Sequence, residues 1–227
     1  MFVIPYLGFV CVLYLYYKED LPFRKIIFAF LVVFLGFLIG THAIESFLVS
    51  YGRVDISSLS VITLNFSLDK LWLGLGLLFL WENWQKMKWG VSWDLWVTPL
   101  VILLGIVVLG LMSGWLILDF PKSGLMTFLL WFTRQVFFVV LPEELFFRGF
   151  IQQEAVKVFP QKTGMVLFGV AVLFALSHGI NSGFPYILAG GLAYGFVYYR
   201  SGGNVLYSSI THLIYNSVHY LVFVYQT

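Results

Sequence analysis

Charged residues are scarce in this chain of 227 residues. Only 11% are Asp, Glu, Lys or Arg, whereas a soluble domain carries roughly a quarter. Three long segments, 95–118, 163–199 and 201–227, contain none of them, and hydrophobic residues make up 60% of the sequence. This composition excludes an ordinary water-soluble domain and predicts a protein that crosses the membrane several times.

Cysteine and excess basic charge are also lacking. The single cysteine, Cys11, excludes an intramolecular disulfide and a thiolate metal cluster. The formal net charge of +2 leaves no basic surface of the size that nucleic-acid binding requires. A cleavable signal peptide is not expected, because Met1–Tyr17 lacks a basic start and no small-residue cleavage pattern follows it. The lipid bilayer is therefore the expected partner, and nucleic acid is not.

Eight segments are apolar and long enough to be membrane-spanning helices, since a span needs about 20 apolar residues. Helices are expected because each span must satisfy its own backbone hydrogen bonds inside lipid. The sequence thus predicts an all-α, polytopic transmembrane helix bundle of about eight spans. The expected spans are Phe2–Tyr17, Ile26–Phe47, Leu68–Trp84, Leu95–Leu118, Gly124–Phe150, Thr163–His178, Phe184–Tyr199 and Asn204–Tyr225.

Basic residues are distributed unevenly between the connections of these spans. Eight lysine and arginine residues lie in connections that follow odd-numbered spans, and three lie in the others. Because cytoplasmic loops carry the excess of basic residues, the odd-numbered connections are expected in the cytoplasm and both termini outside. A prokaryotic cell (inner) membrane is the expected location of this multi-pass protein.

A proline, two acids and an arginine lie within the fifth expected span. Pro142 has no N–H group and disfavours a helical backbone at the preceding residue, so a kink or a helix restart is expected there. On the following helix, Glu144 and Arg148 are four residues apart with the acid first, the favourable order for an ion pair. Glu143 is rotated by about 100° from Glu144. We therefore expect Glu143 to be free to face another group.

Two further polar groups lie in the later spans. Phe174 and His178 share one helix face, where the aromatic ring can cover the imidazole. His212, Asn216 and His219 form a polar stripe along an otherwise apolar helix. An ionisable side chain at the centre of a membrane helix costs about 2.5–3.5 kcal/mol, so such a stripe is expected to face the bundle interior or a water-filled cavity.

Three polar helix faces in a chain with few charges favour one buried site. Glu143 with His178 would take a proton from a water molecule as the water attacks a carbonyl group. His212 and Asn216 would donate hydrogen bonds to the oxyanion of the tetrahedral intermediate, where losing one donor typically lowers the rate about a hundred- to a thousandfold. The residues thus predict hydrolysis of a carbonyl compound in a cavity that admits water.

The depth of one of these residues is not accounted for by the expected spans. Counted from their cytoplasmic ends at about 1.5 Å per residue, Glu143 and His212 lie at similar depth. On the same count His178 lies several ångströms deeper. A tilted or broken helix would be needed to bring His178 level with the other two.

The three polar groups resemble the motifs of a known family in their order and approximate spacing. The family is the CAAX protease and bacteriocin-processing (CPBP) group of intramembrane endopeptidases, which includes the type II prenyl-CAAX proteases. Its motifs are EExxxR, FxxxH and HxxxN, and the resemblance covers roughly residues 124–225. The matching residues are Glu143, Glu144 and Arg148, then Phe174 and His178, then His212 and Asn216.

The resemblance implies a glutamate-dependent peptidase with no cofactor and no metal, whose site lies inside the membrane and opens towards the cytoplasmic side. It implies that Glu143 and His178 activate water. It also implies that His212 and Asn216 form the oxyanion site. The supporting residues expected around these four are Glu144, Arg148, Phe174 and His219.

The chain is expected to consist of N-terminal transmembrane helices of unassigned role, residues 1–123, and an intramembrane peptidase core, residues 124–227. In the N-terminal part, His42 and Glu45 are three residues apart and are expected to hydrogen-bond at the membrane surface. Substrates are expected to be membrane-anchored, lipidated or hydrophobic-tailed peptides or proteins that reach the site laterally.

Two alternatives remain open at the level of the sequence. Glu143, His178 and His212 could supply a zinc site, although no His-Glu-x-x-His pair is present. The chain could instead be a non-catalytic membrane protein, such as a bacteriocin-immunity protein or a membrane partner protein. Sensitivity to a chelator would identify the first, and full biological activity of a Glu143→Gln variant the second.

Overall fold

The computed structural model describes residues 3–20, 22–40, 48–56, 61–80 and 93–225. The chain is all-α, with most of the described residues in helices, as the sequence predicts. Eight helices are present among the described residues. They are α1 (Val3–Lys18), α2 (Pro22–Gly40), α3 (Leu68–Leu80), α4 (Asp94–Met112), α5 (Leu125–Val158), α6 (Thr163–Ser177), α7 (Phe184–Arg200) and α8 (Val205–Val222).

Three helical segments within the described ranges are long and apolar enough to cross a membrane: Leu95–Met112, Leu125–Val158 and Pro160–Ser177. The first lies in α4, whose outer face carries exposed leucine and valine side chains that suit a lipid environment. The chain is therefore an integral membrane protein. The count of about eight spans stays a prediction.

The longest helix, α5, is continuous where the sequence predicts a kink or a restart. It runs for 34 residues, through Pro142 and well past the expected end of the span at Phe150. Two π-helical stretches, Gln135–Val140 and Leu145–Gln152, lie on either side of the short α-helical segment that contains Pro142. The wider π-helical turns change which backbone groups pair, so the helix continues past the missing proline N–H group.

Short antiparallel strands lie between and beyond the helices, where the sequence predicts none. β1 (Leu48–Asp55) pairs with β2 (Val61–Ser67), and Leu48 is opposite Ser67. β3 (Leu116–Leu118) pairs with β4 (Phe223–Tyr225). The fourth and eighth expected spans are therefore too long, because α4 ends at Met112 and α8 at Val222 before their apolar sequences end.

The N-terminal and C-terminal helices share one cluster of buried apolar side chains. Close approaches of glycine help to form it, since a Cβ atom at Gly74 of α3 would lie 3.0 Å from Pro142 Cγ. The division of the chain into N-terminal helices, residues 1–123, and a peptidase core, residues 124–227, stays a prediction. Residues from both parts pack together in this cluster. The cluster includes Phe9, Leu13, Val32, Leu73, Leu77, Leu145, Phe146, Phe150, Phe174, Tyr194 and Tyr215.

A second small cluster attaches the β1–β2 hairpin to α5 and α8. It contains Leu64 of the hairpin, Trp131 of α5 and Tyr220 of α8. The Trp131 and Tyr220 rings stack with their centroids 4.2 Å apart. Arg134 Nε donates to the Asn65 backbone carbonyl oxygen over 2.7 Å. These contacts place the hairpin beside the first half of α5, at the end of the bundle where α3 begins.

Candidate active site

The two adjacent glutamates of α5 are both buried, and Glu144 has the partner that its spacing predicts. Arg148 Nη1 lies 3.2 Å from Glu144 Oε1, and both side chains are fully buried. Arg148 Nη2 also donates to the Gly191 backbone carbonyl oxygen of α7 over 3.0 Å. The guanidinium lies 4.5 Å from the Phe174 ring centroid. The pair therefore ties α5 to both α6 and α7.

His212 of α8 joins the same ion pair. Its Nδ1 atom lies 2.9 Å from Glu144 Oε1, and only 4% of the residue is exposed. The imidazole stacks on the Tyr194 ring with the centroids 4.4 Å apart. It meets the Phe174 ring edge to face at 5.7 Å. Glu144 and two aromatic rings thus determine the orientation of His212 and leave its Nε2 atom as the group that can act on a ligand.

His178 caps the C-terminal end of α6 and faces Glu143. Its Nδ1 atom lies 2.9 Å from the Phe174 carbonyl oxygen, which can only accept a hydrogen bond, so Nδ1 carries the proton. In the neutral imidazole the Nε2 atom is then an acceptor, and it lies 3.9 Å from Glu143 Oε2. The Phe174 ring covers the imidazole, as the sequence predicts, with centroids 4.6 Å apart.

The extra length of α5 explains how His178 reaches the depth of Glu143. Glu143 precedes Val158, the last residue of α5, by 15 residues, and His178 follows Thr163, the first residue of α6, by 15 residues. Because a short connection joins these two ends, equal counts place both residues about 22 Å along their helices. The predicted mismatch in depth arose from ending the fifth span at Phe150.

Lys70 is a site residue that the sequence analysis missed. Its Nζ atom lies 2.9 Å from Glu143 Oε1. Glu143 thus faces another group, as the sequence analysis expects, but the groups that it faces include a lysine as well as His178. Lys70 lies in the first turn of α3 and precedes Glu143 by 73 residues. A lysine within an apolar segment is unusual and could have indicated a site residue. Nothing in the sequence, however, indicated that Lys70 contacts Glu143.

Asn216 lies one turn beyond His212 on α8 and contacts a second residue that the sequence analysis missed. The amide groups of Asn216 and Gln135 of α5 lie 3.0 Å apart, and Gln135 is buried. When the side-chain amide of Gln135 is rotated by half a turn, its oxygen can accept a hydrogen bond from Trp131 Nε1 over 3.3 Å. Asn216 is thus oriented by α5. Its predicted role at the oxyanion, and the supporting role of His219 two turns beyond His212, stay predictions.

The acidic and imidazole groups form two neighbouring pairs. Glu143 faces His178 and Glu144 holds His212, so the two histidines of the zinc alternative lie beside different carboxylates. Among the described residues, no group of three His, Cys, Asp or Glu side chains is arranged to hold a metal ion. His42 and Glu45 lie outside the described ranges.

The arrangement offers the groups that hydrolysis of a carbonyl compound requires. Glu143 Oε2 is buried and accepts no hydrogen bond from the described residues. Together with His178 Nε2 it presents two acceptors to the same small space. His212 and Asn216 lie on an adjacent helix and can present donors to it. A carboxylate, an imidazole and side chains that can donate hydrogen bonds therefore meet inside the bundle.

Part of the chain matches a known protein family. Residues 124–218 match the family model described as type II CAAX prenyl endopeptidase Rce1-like. No curated protein and no solved structure matches the chain significantly. The matched segment includes α5 from just before its first residue and extends into α8, so it contains all the residues of the three motifs.

Proposed function

Because residues 124–218 match the family model of Rce1-like type II CAAX prenyl endopeptidases, we propose that the chain is an intramembrane endopeptidase of the glutamic type. Its substrate would be a membrane-anchored, lipidated or hydrophobic-tailed peptide or protein, cleaved at a peptide bond. The observation that carries the proposal is the approach of Glu143 Oε2 to His178 Nε2, 3.9 Å apart inside the bundle.

Two acceptors at this separation suit a water molecule that donates one hydrogen bond to each. In the proposed reaction the water oxygen bonds to the carbonyl carbon while one O–H bond breaks and its proton moves to Glu143. The same proton then passes to the nitrogen of the scissile bond, and the amine leaves as the C–N bond breaks. His178 orients the water through Nε2, because its Nδ1 proton is held by the Phe174 carbonyl oxygen.

The oxyanion that forms in this step would lie against α8. His212 donates to it through Nε2, while its Nδ1 atom stays on Glu144. A proton on both nitrogens makes the ring a cation, and the Glu144 carboxylate beside it balances that charge. Asn216, held against Gln135, supplies the second donor.

The surroundings of the site support a substrate that arrives within the membrane. The helices expose apolar side chains to lipid, and the proposed bundle of about eight spans would place the site below the membrane surface. A hydrophobic tail or lipid anchor would hold the substrate in the bilayer beside the site. We place the protein in a prokaryotic inner membrane with the site opening to the cytoplasmic side, and expect no nucleic-acid partner.

The proposal is tested with purified protein in detergent and a panel of fluorogenic peptides carrying a prenyl group, an acyl group or a transmembrane tail. Wild type is expected to cleave at least one class. Glu143→Gln is expected to lower the cleavage rate by about 10²- to 10⁴-fold, because the base is lost while the side chain keeps its size. The matched control is Glu154→Gln at the far end of α5, where Glu154 contacts Tyr16 and Lys157.

A strong zinc chelator separates the glutamate mechanism from the zinc alternative. Cleavage that persists with chelator and disappears in Glu143→Gln supports the proposal. Cleavage abolished by chelator and restored by zinc would replace it with a metal-dependent mechanism. Biological activity that survives in Glu143→Gln would favour the non-catalytic alternative.

A further inference from the structure

The catalytic carboxylate proposed here is held by a residue outside the matched family segment. Lys70 Nζ lies 2.9 Å from Glu143 Oε1, while Glu143 Oε2 faces His178. The two oxygens of one carboxylate thus have separate partners. An ammonium group on one oxygen restricts rotation of the carboxylate and keeps the other oxygen directed at the imidazole.

The position of Lys70 follows from the way α3 packs on α5. Gly74 lies one helical turn after Lys70 on the same face, and a Cβ atom there would lie 3.2 Å from Pro142 Cα. The absence of a side chain at Gly74 therefore allows α3 to approach the residue immediately before Glu143. At the start of α3, the Lys70 backbone N–H group donates to Ser67 Oγ over 3.4 Å. The hydrogen bond to Ser67 and the close contact between α3 and α5 thus hold Lys70 beside Glu143.

We propose that Lys70 is a positioning residue for the peptidase reaction and that the N-terminal helices, through α3, complete the active site. The inference rests on the proposed function of Glu143 as the base. Lys70 orients the carboxylate and favours its ionised form, the form that accepts a proton from water. Residues 1–123 thus contribute to the chemistry as well as to the scaffold.

The first experiment compares Lys70→Met and Lys70→Arg with wild type in the cleavage assay. Lys70→Met removes the charge and the donor, and kcat is expected to fall about ten- to a hundredfold with KM little changed. Lys70→Arg keeps both and is expected to retain most of the rate. The matched control is Lys25→Met, since Lys25 lies over the Tyr16 ring at the far end of the bundle. Unchanged kcat in Lys70→Met, or a rise in KM alone, would overturn the proposal.

A second readout does not depend on peptidase activity. Dicyclohexylcarbodiimide reacts with protonated carboxyl groups in membrane proteins, and its adduct on the peptide containing Glu143 is counted by mass spectrometry. At fixed neutral pH the adduct is expected to form about tenfold faster in Lys70→Met than in wild type, Lys70→Arg or Lys25→Met. Glu143→Gln gives the background.

The two readouts separate failure of the inference from failure of the proposed function. If wild type cleaves no peptide, the proposed function fails, and the labelling rate alone decides whether Lys70 keeps Glu143 ionised. Equal labelling rates in wild type and Lys70→Met overturn the role of Lys70 whatever the cleavage assay gives. Faster labelling together with a lower kcat and rescue by arginine supports it.

Discussion

At the scale of single residues, adjacent glutamates on one helix have different surroundings. Glu144 is fully buried between Arg148 and His212, whereas Glu143 contacts Lys70 and faces His178 across a gap of 3.9 Å. A carboxylate enclosed by an ion pair is suited to holding other groups in place. One that keeps some exposure, 8% for Glu143 against 0% for Glu144, is suited to meeting water and moving a proton. The difference supports a structural role for Glu144 and a chemical role for Glu143.

Removing the Glu144 charge is expected to destabilise the protein more than removing a surface charge. Glu144→Gln leaves the Arg148 guanidinium buried without its counter-ion, and breaking a buried pair in this way costs about 3–5 kcal/mol. Lys157→Gln breaks an exposed pair with Glu154 and is expected to cost under about 1 kcal/mol. Thermal unfolding of both variants in detergent measures the difference. Equal melting temperatures would contradict a structural role for Glu144.

Whether a contact between two residues can be predicted from the sequence depends on how far apart the residues lie along the chain. The Glu144–Arg148 pair is four residues apart on one helix, so helix geometry alone predicts it. The Lys70–Glu143 pair joins residues 73 apart, and a single sequence contains no rule that brings two such helices together. The contact between Gln135 and Asn216 was missed for the same reason.

At the scale of helices and strands, apolar sequence locates the elements but does not determine where they end. The segments 116–118 and 223–225 continue the apolar runs of α4 and α8, yet they pair as strands. α5 continues past Pro142 because π-helical turns accommodate the proline, which local backbone preferences do not reveal. Hydropathy measures how well a segment suits lipid or a protein core. Backbone pairing partners decide whether that segment is helix or strand.

The packing of α6 against α7 is expected to depend on Gly191. A Cβ atom at this position would lie 3.1 Å from Phe174 Cδ1 and 3.3 Å from Ala171 Cα. Gly191→Leu should therefore push the two helices apart, cost about 1–3 kcal/mol of stability and move His178 away from Glu143. The matched control is Gly169→Leu in α6, where a Cβ atom meets nothing within 4 Å.

Melting temperature and cleavage rate together test this packing. Gly191→Leu is expected to lower both, and Gly169→Leu to change neither appreciably. If Gly191→Leu unfolds and cleaves like wild type, the close approach of α6 and α7 does not position His178.

At the scale of the whole molecule, the orientation of the bundle decides which side of the membrane the α5–α6 connection faces. Glu143 and His178 lie about 22 Å from the connection between α5 and α6, and Lys70 lies in the first turn of α3 next to the hairpin. The distribution of basic residues predicts that the α5–α6 connection lies in the cytoplasm. The opposite orientation would place that connection outside.

Labelling of single cysteines in sealed vesicles determines the orientation. In a variant with Cys11→Ser, one cysteine is placed at Gln161 in the α5–α6 connection or at Ser123 between α4 and α5. With the cytoplasmic face inside, a membrane-impermeant maleimide is expected to label Ser123→Cys and to reach Gln161→Cys only after the vesicles are opened. The reverse pattern would invert the predicted orientation.

The central claim is that Glu143 activates water for peptide-bond hydrolysis. Its most direct test is single-turnover cleavage of the best peptide of the panel in H₂¹⁸O, with wild type, Glu143→Gln and Glu154→Gln prepared in parallel. The account predicts that wild type and Glu154→Gln incorporate one ¹⁸O atom into the new carboxylate at similar rates. It predicts a rate about 10²- to 10⁴-fold lower for folded Glu143→Gln. Cleavage by Glu143→Gln at the wild-type rate would contradict it.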